Sequence, residues 1–413
     1  MSHNRNDSHS SNISDASSFS RFSIETSASF QSTSAGRSVA AYISGEYQNR
    51  LELLIKSDET TDHLIRRAEG SIESFSAAEE SLYTYEQAQV RLDRIMSAMM
   101  YHAADAGGND SQRYVASAIV IAGSISMERM KDLAVAWLTH LLYIFKVNGS
   151  YCRRINVTPS QDDTPLADDL DVTSLEGAPK HRRSTFVDAV RERDGYECVI
   201  TGYREHHHPE RGEVFSVPAT HILDRAIATF DSDKDSDSYA SAMVTYNILT
   251  HFSRLSSEEI ESLQTLVDDV SNGVLLEYNA RAGFVGYYWC FQKTDRANEY
   301  NIRVYNRDRA CLRARRWERP HDPPVVFRDR SGEFLRTQKR SRTLSVPDPR
   351  FIAIHAAIAG ILHMSGAGEF FDELLMKFFD DDGLAPLVRW QDFELYVSVR
   401  SALAPMALTP MST

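Results

Sequence analysis

Two apolar stripes at helical spacing constrain this chain more than any other feature. Phe75, Ala78, Leu82, Tyr85, Gln89, Leu92, Met96 and Met99 follow alternating steps of three and four. At 3.6 residues per turn those positions share one face, and Gln89 alone interrupts it, so the spacing predicts one long helix over 75–99. A second stripe runs through Ile119, Met127, Met130, Ala134, Trp137, Leu138, Leu141 and Phe145, and "DAGGND" at 105–110 separates the two. Residues 41–150 are therefore expected to form a helical hairpin or small bundle. Its stripes either pack on each other or, through the 75–99 seam, join copies of the chain into a homo-oligomer.

Around this region the composition changes. Residues 1–40 hold fourteen Ser and few large apolar groups, which predicts a disordered tail, because so little burial cannot offset the entropy of ordering. No apolar core of a secretory signal is present there. The most apolar window, Leu133 to Phe145, is too short to span a bilayer, and no membrane partner is expected. Four dispersed cysteines without a CxxC pair fit a reducing, intracellular setting, nuclear or cytoplasmic.

Residues 151–183 mix Pro, Asp and Ser without periodicity and read as a linker. From 184 to 308 helical and strand patterns alternate. "TFVDAVRERDG" is helical, and Cys198, Ile200, Val214, Phe215 and Val217 flank a polar turn as strand residues. "YASAMVTYNILTHFSRL" and "SEEIESLQTLVDDV" are amphipathic helices, "SNGVLLEYNARAGF" is a loop entering a helix, and "VGYYWCFQKT" and "EYNIRVYNR" are strands about a "DRAN" turn. Residues 309–347 form a basic linker. A C-terminal helical region at 348–413 opens with Pro349 in a first helical turn. The expected fold class is α+β, with helices on both sides of a central α+β unit.

Within that unit, "RDGYECVITG", "PATHIL" and "SNGVLLEYNAR" follow one another in order and spacing. This succession resembles the HNH nuclease family, specifically the HNH-type domains found in fungal proteins, over about Asp188 to Val304. The resemblance implies a ββα-metal fold and cleavage of DNA phosphodiester bonds with a divalent ion. It implies His221 as the general base that takes a proton from water, and Asn272 as the residue that braces the loop.

At the last motif position, nine residues after Asn272, the family's His ligand is replaced by Arg281. An arginine keeps its proton and has no lone pair for a metal. It can contact a phosphate instead. Substitute oxygen ligands close in sequence are Asp224, Asp268 and Asp269, which suit Mg²⁺ or Mn²⁺, with Zn²⁺ or Ni²⁺ as further choices. His206, His207 and His208 are adjacent on a turn and cannot readily converge on one ion.

The chain carries a formal charge of −13, but residues 307–342 contain twelve Lys or Arg against five Asp or Glu. That local excess makes Arg307, Arg309, Arg313, Arg315 and Arg316, with Trp317 among them, a candidate nucleic-acid surface. Two functions follow from the resemblance. One is a metal-dependent HNH endonuclease acting on DNA; the other is a module of the same fold, without a metal, that binds nucleic acid or a protein partner.

Overall fold

The computed structural model describes residues 33–151, 180–210, 212–231, 233–312, 324–333, 343–379 and 389–403. The N-terminal part is helical: α1 (Ser34–Ile43), α2 (Gly45–Ile55) and α3 (Thr61–Ser76) lead to α4 (Leu92–Gly107), α5 (Asn109–Ile125) and α6 (Met127–Trp137). A π-helical turn at Leu138–Leu142 joins α6 to α7 (Tyr143–Tyr151). Thr33 caps α1 by accepting from Gly36 N, so ordered structure begins inside the Ser-rich stretch, earlier than composition suggests.

The expected long helix over 75–99 is not formed. It is interrupted by a hairpin of β1 (Leu82–Tyr85) and β2 (Ala88–Arg91), in which Tyr83 faces Val90 and Tyr85 faces Ala88. Tyr83, Ala88 and Val90 are buried while Leu82 is exposed, so the two-residue period of a strand governs here. The turn residues Glu86 and Gln87 take φ of 51° and 80°, the left-handed pair that matches strand twist in a two-residue hairpin. Gly108, at φ 78°, makes the expected break between α4 and α5.

The middle of the chain supplies α8 (Lys180–Arg193), the short strand β3 (Ala219–His221) and α9 (Asp237–Phe252). The short helices α10 (Ser257–Glu261) and α11 (Leu263–Leu266) follow, then β4 (Gly273–Leu275) and α12 (Tyr278–Val285). The segment expected to be loop at "SNGVLL" is thus partly a strand. β4 pairs antiparallel with β3, with His221 opposite Gly273. Between Cys198 and Val217, where strands were expected, the described residues form isolated bridges, Glu197 with Arg204 and Glu205 with Phe215, and no strand. β5 (Trp289–Lys293) and β6 (Glu299–Val304) form the expected hairpin, extended by β7 (Val325–Val326).

The C-terminal helices are α13 (Pro349–Ser365), α14 (Ala367–Phe379) and α15 (Trp390–Leu403). Pro349 does open α13, and Asp348 caps it through Arg350 N. α13 lies along α4, and a Cβ on Gly360 would stand 2.2 Å from the His102 ring. Only glycine permits that approach. The N- and C-terminal helices therefore share a single apolar core with the middle unit. Lys146 on α7 ties them further: its buried ammonium reaches Gly286 O (3.1 Å), the Tyr288 hydroxyl (3.2 Å) and Asp372 (3.2 Å) on α14. The fold class is α+β, as expected. No single helix among the described residues is long and apolar enough to cross a membrane.

Candidate functional site

β3, β4 and α12 follow the strand, strand, helix order, and the first two meet only because residues far apart in sequence are clamped together. Asn272 does much of that clamping. It is fully buried; its Oδ1 accepts from Leu223 N (2.9 Å), and its Nδ2 donates to Leu223 O (2.9 Å) and Val267 O (2.8 Å). Three of an amide's four hydrogen-bonding capacities are thus spent on backbone. Asn272 braces the loop and does not face solvent.

A second clamp was not singled out from sequence. Arg193 and Asp194, the start of "RDGYECVITG", are buried and joined by two hydrogen bonds of 2.8 and 2.9 Å. The guanidinium also donates to Val270 O and Gly273 O, both at 2.6 Å, and Asp194 accepts from Leu275 N at 2.8 Å. This pair holds both ends of β4 against the end of α8. Beside it, the Cys198 thiol accepts from Glu277 N (3.2 Å), and burial pushes its pKa up, which makes it a structural thiol and not a nucleophile. Glu277 then caps α12 by accepting from Asn279 N and Ala280 N.

His221 ends β3 with 13% of its side chain exposed, so solvent or a ligand can reach it. One ring face is stacked on Phe186 of α8, with centroids 4.2 Å apart and planes 3° from parallel. Its Nε2 lies 3.3 Å from Asp268 Oδ1. Asp268 also accepts from Arg225 Nε at 2.7 Å and faces Arg225 Nη2 at 2.5 Å. Burial would raise the Asp268 pKa, but the hydrogen bonds from His221 and Arg225, with the Arg225 charge, outweigh it and hold the carboxyl below its ordinary value. Asp268 is a stable anion that orients the imidazole. If the His221 proton sits on Nε2, Nδ1 carries the basic lone pair; if both nitrogens are protonated, the ring is a cation held beside its counter-ion.

The three carboxylates considered as metal ligands have other engagements. Asp224 caps a short 3₁₀ turn at Arg225–Ala228 by accepting from Ala226 N (2.8 Å). Asp269 accepts from Ser271 N (2.9 Å) and Ser271 Oγ (2.6 Å), and Asp268 is ion-paired as described. No group of three His, Cys, Asp or Glu able to hold a metal occurs among the described residues. His207 faces Glu205 (2.9 Å), while His208 faces Glu197 (3.6 Å). The donors present therefore do not fit a divalent ion in the arrangement the resemblance implies.

Arg281 sits in the first turn of α12, its N–H bonded to Glu277 O at 2.8 Å, and its side chain is partly exposed. Of the basic candidates, Arg307 is exposed. Arg309 donates to Asp372 Oδ2 at 2.7 Å and joins the Lys146 network, which limits its freedom to follow a phosphate backbone. Arg313, Arg315, Arg316 and Trp317 lie outside the described residues. Arg225, Phe186 and the Arg193–Asp194 clamp had escaped sequence reasoning. Only the adjacent Arg-Asp pair before Gly195 carried any signal. Comparison with models of protein families, with curated proteins and with solved structures finds no match to this chain.

Proposed function

We propose that residues 184–308 carry an HNH-like ββα unit that engages the phosphodiester backbone of nucleic acid, DNA in the first instance, and does so without metal-dependent cleavage. The observation that carries this reading is the state of the donors. Asp268 is neutralised by Arg225 and His221, Asp224 and Asp269 cap turns, and an arginine stands at the expected ligand position. A histidine at a strand end and an arginine on the helix that follows can each bind a phosphate directly through charge-assisted hydrogen bonds.

The endonuclease reading is kept by one observation, the His221–Asp268 pair. A carboxylate on one imidazole nitrogen is the arrangement that makes the other a general base. One experiment separates the two. Supercoiled plasmid is incubated with the full chain in Mg²⁺, Mn²⁺, Zn²⁺ or Ni²⁺, and duplex binding is measured at low salt, for the native protein, His221→Ala, Arg281→Ala and Arg281→His. The binding reading expects intact plasmid and duplex affinity that falls in Arg281→Ala. Nicking by the native chain that His221→Ala abolishes would establish the nuclease instead, and undetectable duplex binding at low salt would remove the binding reading. Nicking gained by Arg281→His would support the HNH-like framework with its ligand restored.

A further inference from the structure

A concave surface of about 620 Å³ lies where the β5–β6 hairpin meets the end of α4 and the start of α13. That volume suits a small-molecule ligand. Besides the ion-paired Arg350, three cations line it: Arg254, Lys293 and Arg303. None of the three forms an ion pair among the described residues; Arg303 instead lies over the Tyr305 ring, 5.0 Å from its centroid. The Arg254 guanidinium passes close to Gly108, its Nη2 3.1 Å from where a Cβ there would stand. Arg350 is paired with Asp348 and Glu259, while Asp105, mostly exposed and 3.1 Å from the His102 ring, and Asp295 at the exposed hairpin turn are the two carboxylates of the lining.

The lining also has an apolar part, Ile352, Ala353 and Ala356 of α13 with Phe291 and Tyr300 from the hairpin, beside polar Gln292 and Thr294. In a chain of net charge −13, a cleft lined by four cations and two carboxylates, with three of the cations outside any ion pair among the described residues, carries a local positive excess that attracts an anion. We propose that this cleft binds a small organic phosphate. Arg254, Lys293 and Arg303 take the phosphate, and an apolar or aromatic body lies against Ile352 and Ala356. Its lining shares no residue with the His221 site. The chain before Pro349 is joined to the Asn272 loop where Asp348 N donates to Ser271 O (2.8 Å).

The probe is ADP, titrated calorimetrically into the full chain at low salt, with inorganic tripolyphosphate alongside. Saturable ADP binding is expected, weakened about tenfold or more by Lys293→Glu with Arg303→Glu. Thermal unfolding checks that the variants fold. Ala356→Trp, which fills the apolar wall and keeps every cation, should lose ADP and retain tripolyphosphate. Absence of saturable ADP binding, or an affinity indifferent to the charge reversals, overturns the proposal. Tripolyphosphate binding as tightly as ADP overturns its apolar half. A short oligothymidylate that displaces ADP would identify the phosphate as that of a strand, and failure to displace it would identify a free mononucleotide; either upholds the site. Duplex binding and ADP binding are measured separately on the same chain, so failure here and failure of the DNA-binding reading are separately visible.

Discussion

Asn272 and Leu223 exchange two hydrogen bonds, Leu223 N to Asn272 Oδ1 and Asn272 Nδ2 to Leu223 O, each 2.9 Å long and fully buried. A side-chain amide thus stands in for a strand partner just past the end of β3. Asn272→Ala removes it and leaves the Leu223 N–H and C=O and the Val267 C=O without this partner. An unmatched buried polar group costs about 1–3 kcal/mol, so a loss of about 3 kcal/mol is expected. Urea unfolding measures it. Ser271→Ala, one residue away, removes only an exposed hydroxyl contact to Asp269 and should change stability by less than about 0.5 kcal/mol. Equal effects at the two positions would contradict the bracing role.

The Arg193–Asp194 clamp gives a sharper expectation, because both charges are out of water. Arg193→Met leaves Asp194 as an uncompensated buried anion and should cost about 3–5 kcal/mol. In an isolated ion pair, replacing the partner as well would restore most of that. Here it should not: Val270 O, Gly273 O and Leu275 N would still lack their partners. Chemical denaturation of Arg193→Met and of Arg193→Met with Asp194→Leu is expected to show partial recovery only.

Buried histidines set how stability responds to mild acid. Burial lowers His140 from 6.5 to about 4 and His355 from 6.5 to about 3, against the opposing hydrogen bonds to Ala35 O and Phe284 O; His251 and His363 are lowered in the same direction. These groups stay neutral in the fold and take up protons when it opens. Their contribution is complete above about 6.5 and is lost as pH falls towards the lowered values, by up to about 1.4 kcal/mol per pH unit for each group. Asp268, also lowered, adds its loss only below its ordinary 3.8, while Asp132 and Asp392, raised by burial, act in the opposite sense. The test is His355→Phe, which keeps the stack on Phe284 and has no proton to gain. Unfolding midpoints from pH 8 to 4 should fall less steeply than in the native chain, by about one proton's slope.

How much of this was legible depended on the range over which each signal acts. The α13 start was readable because Asp348, Pro349 and the apolar run after them are contiguous, and the β5–β6 hairpin because its strands adjoin. The site residues His221 and Asn272 could be named, yet not what surrounds them. Phe186 and Asp268 reach His221 from different elements, Arg225 reaches Asp268 in turn, and no local pattern marks a stacking or ion-pairing partner. Composition also failed at Ser34, where α1 is ordered by Thr33 and by burial of Ala35, Val39 and Tyr42.

The clearest departure, the hairpin at 82–91, leads to the last prediction. Leu82, Tyr85, Gln89 and Leu92 fit a helical stripe by spacing, but Tyr83, Ala88 and Val90 fit a strand face equally well, and burial favours the strand. What hid it was the turn. Both turn residues adopt positive φ, a conformation usually supplied by Asn-Gly, and here the pair is Glu86-Gln87. A non-glycine residue held there costs roughly 1–2 kcal/mol, part of which glycine repays in greater unfolded-state entropy. Gln87→Gly should therefore stabilise the fold by about 0.5–1 kcal/mol, visible as a higher thermal midpoint. Glu86 is better left in place, because it pairs with Lys377 of α14 at 3.2 Å. Gln87→Pro cannot adopt a positive φ and should destabilise by more than the glycine gains. A helix at 75–99 would reverse the first expectation, since glycine in a helix interior costs about 1 kcal/mol.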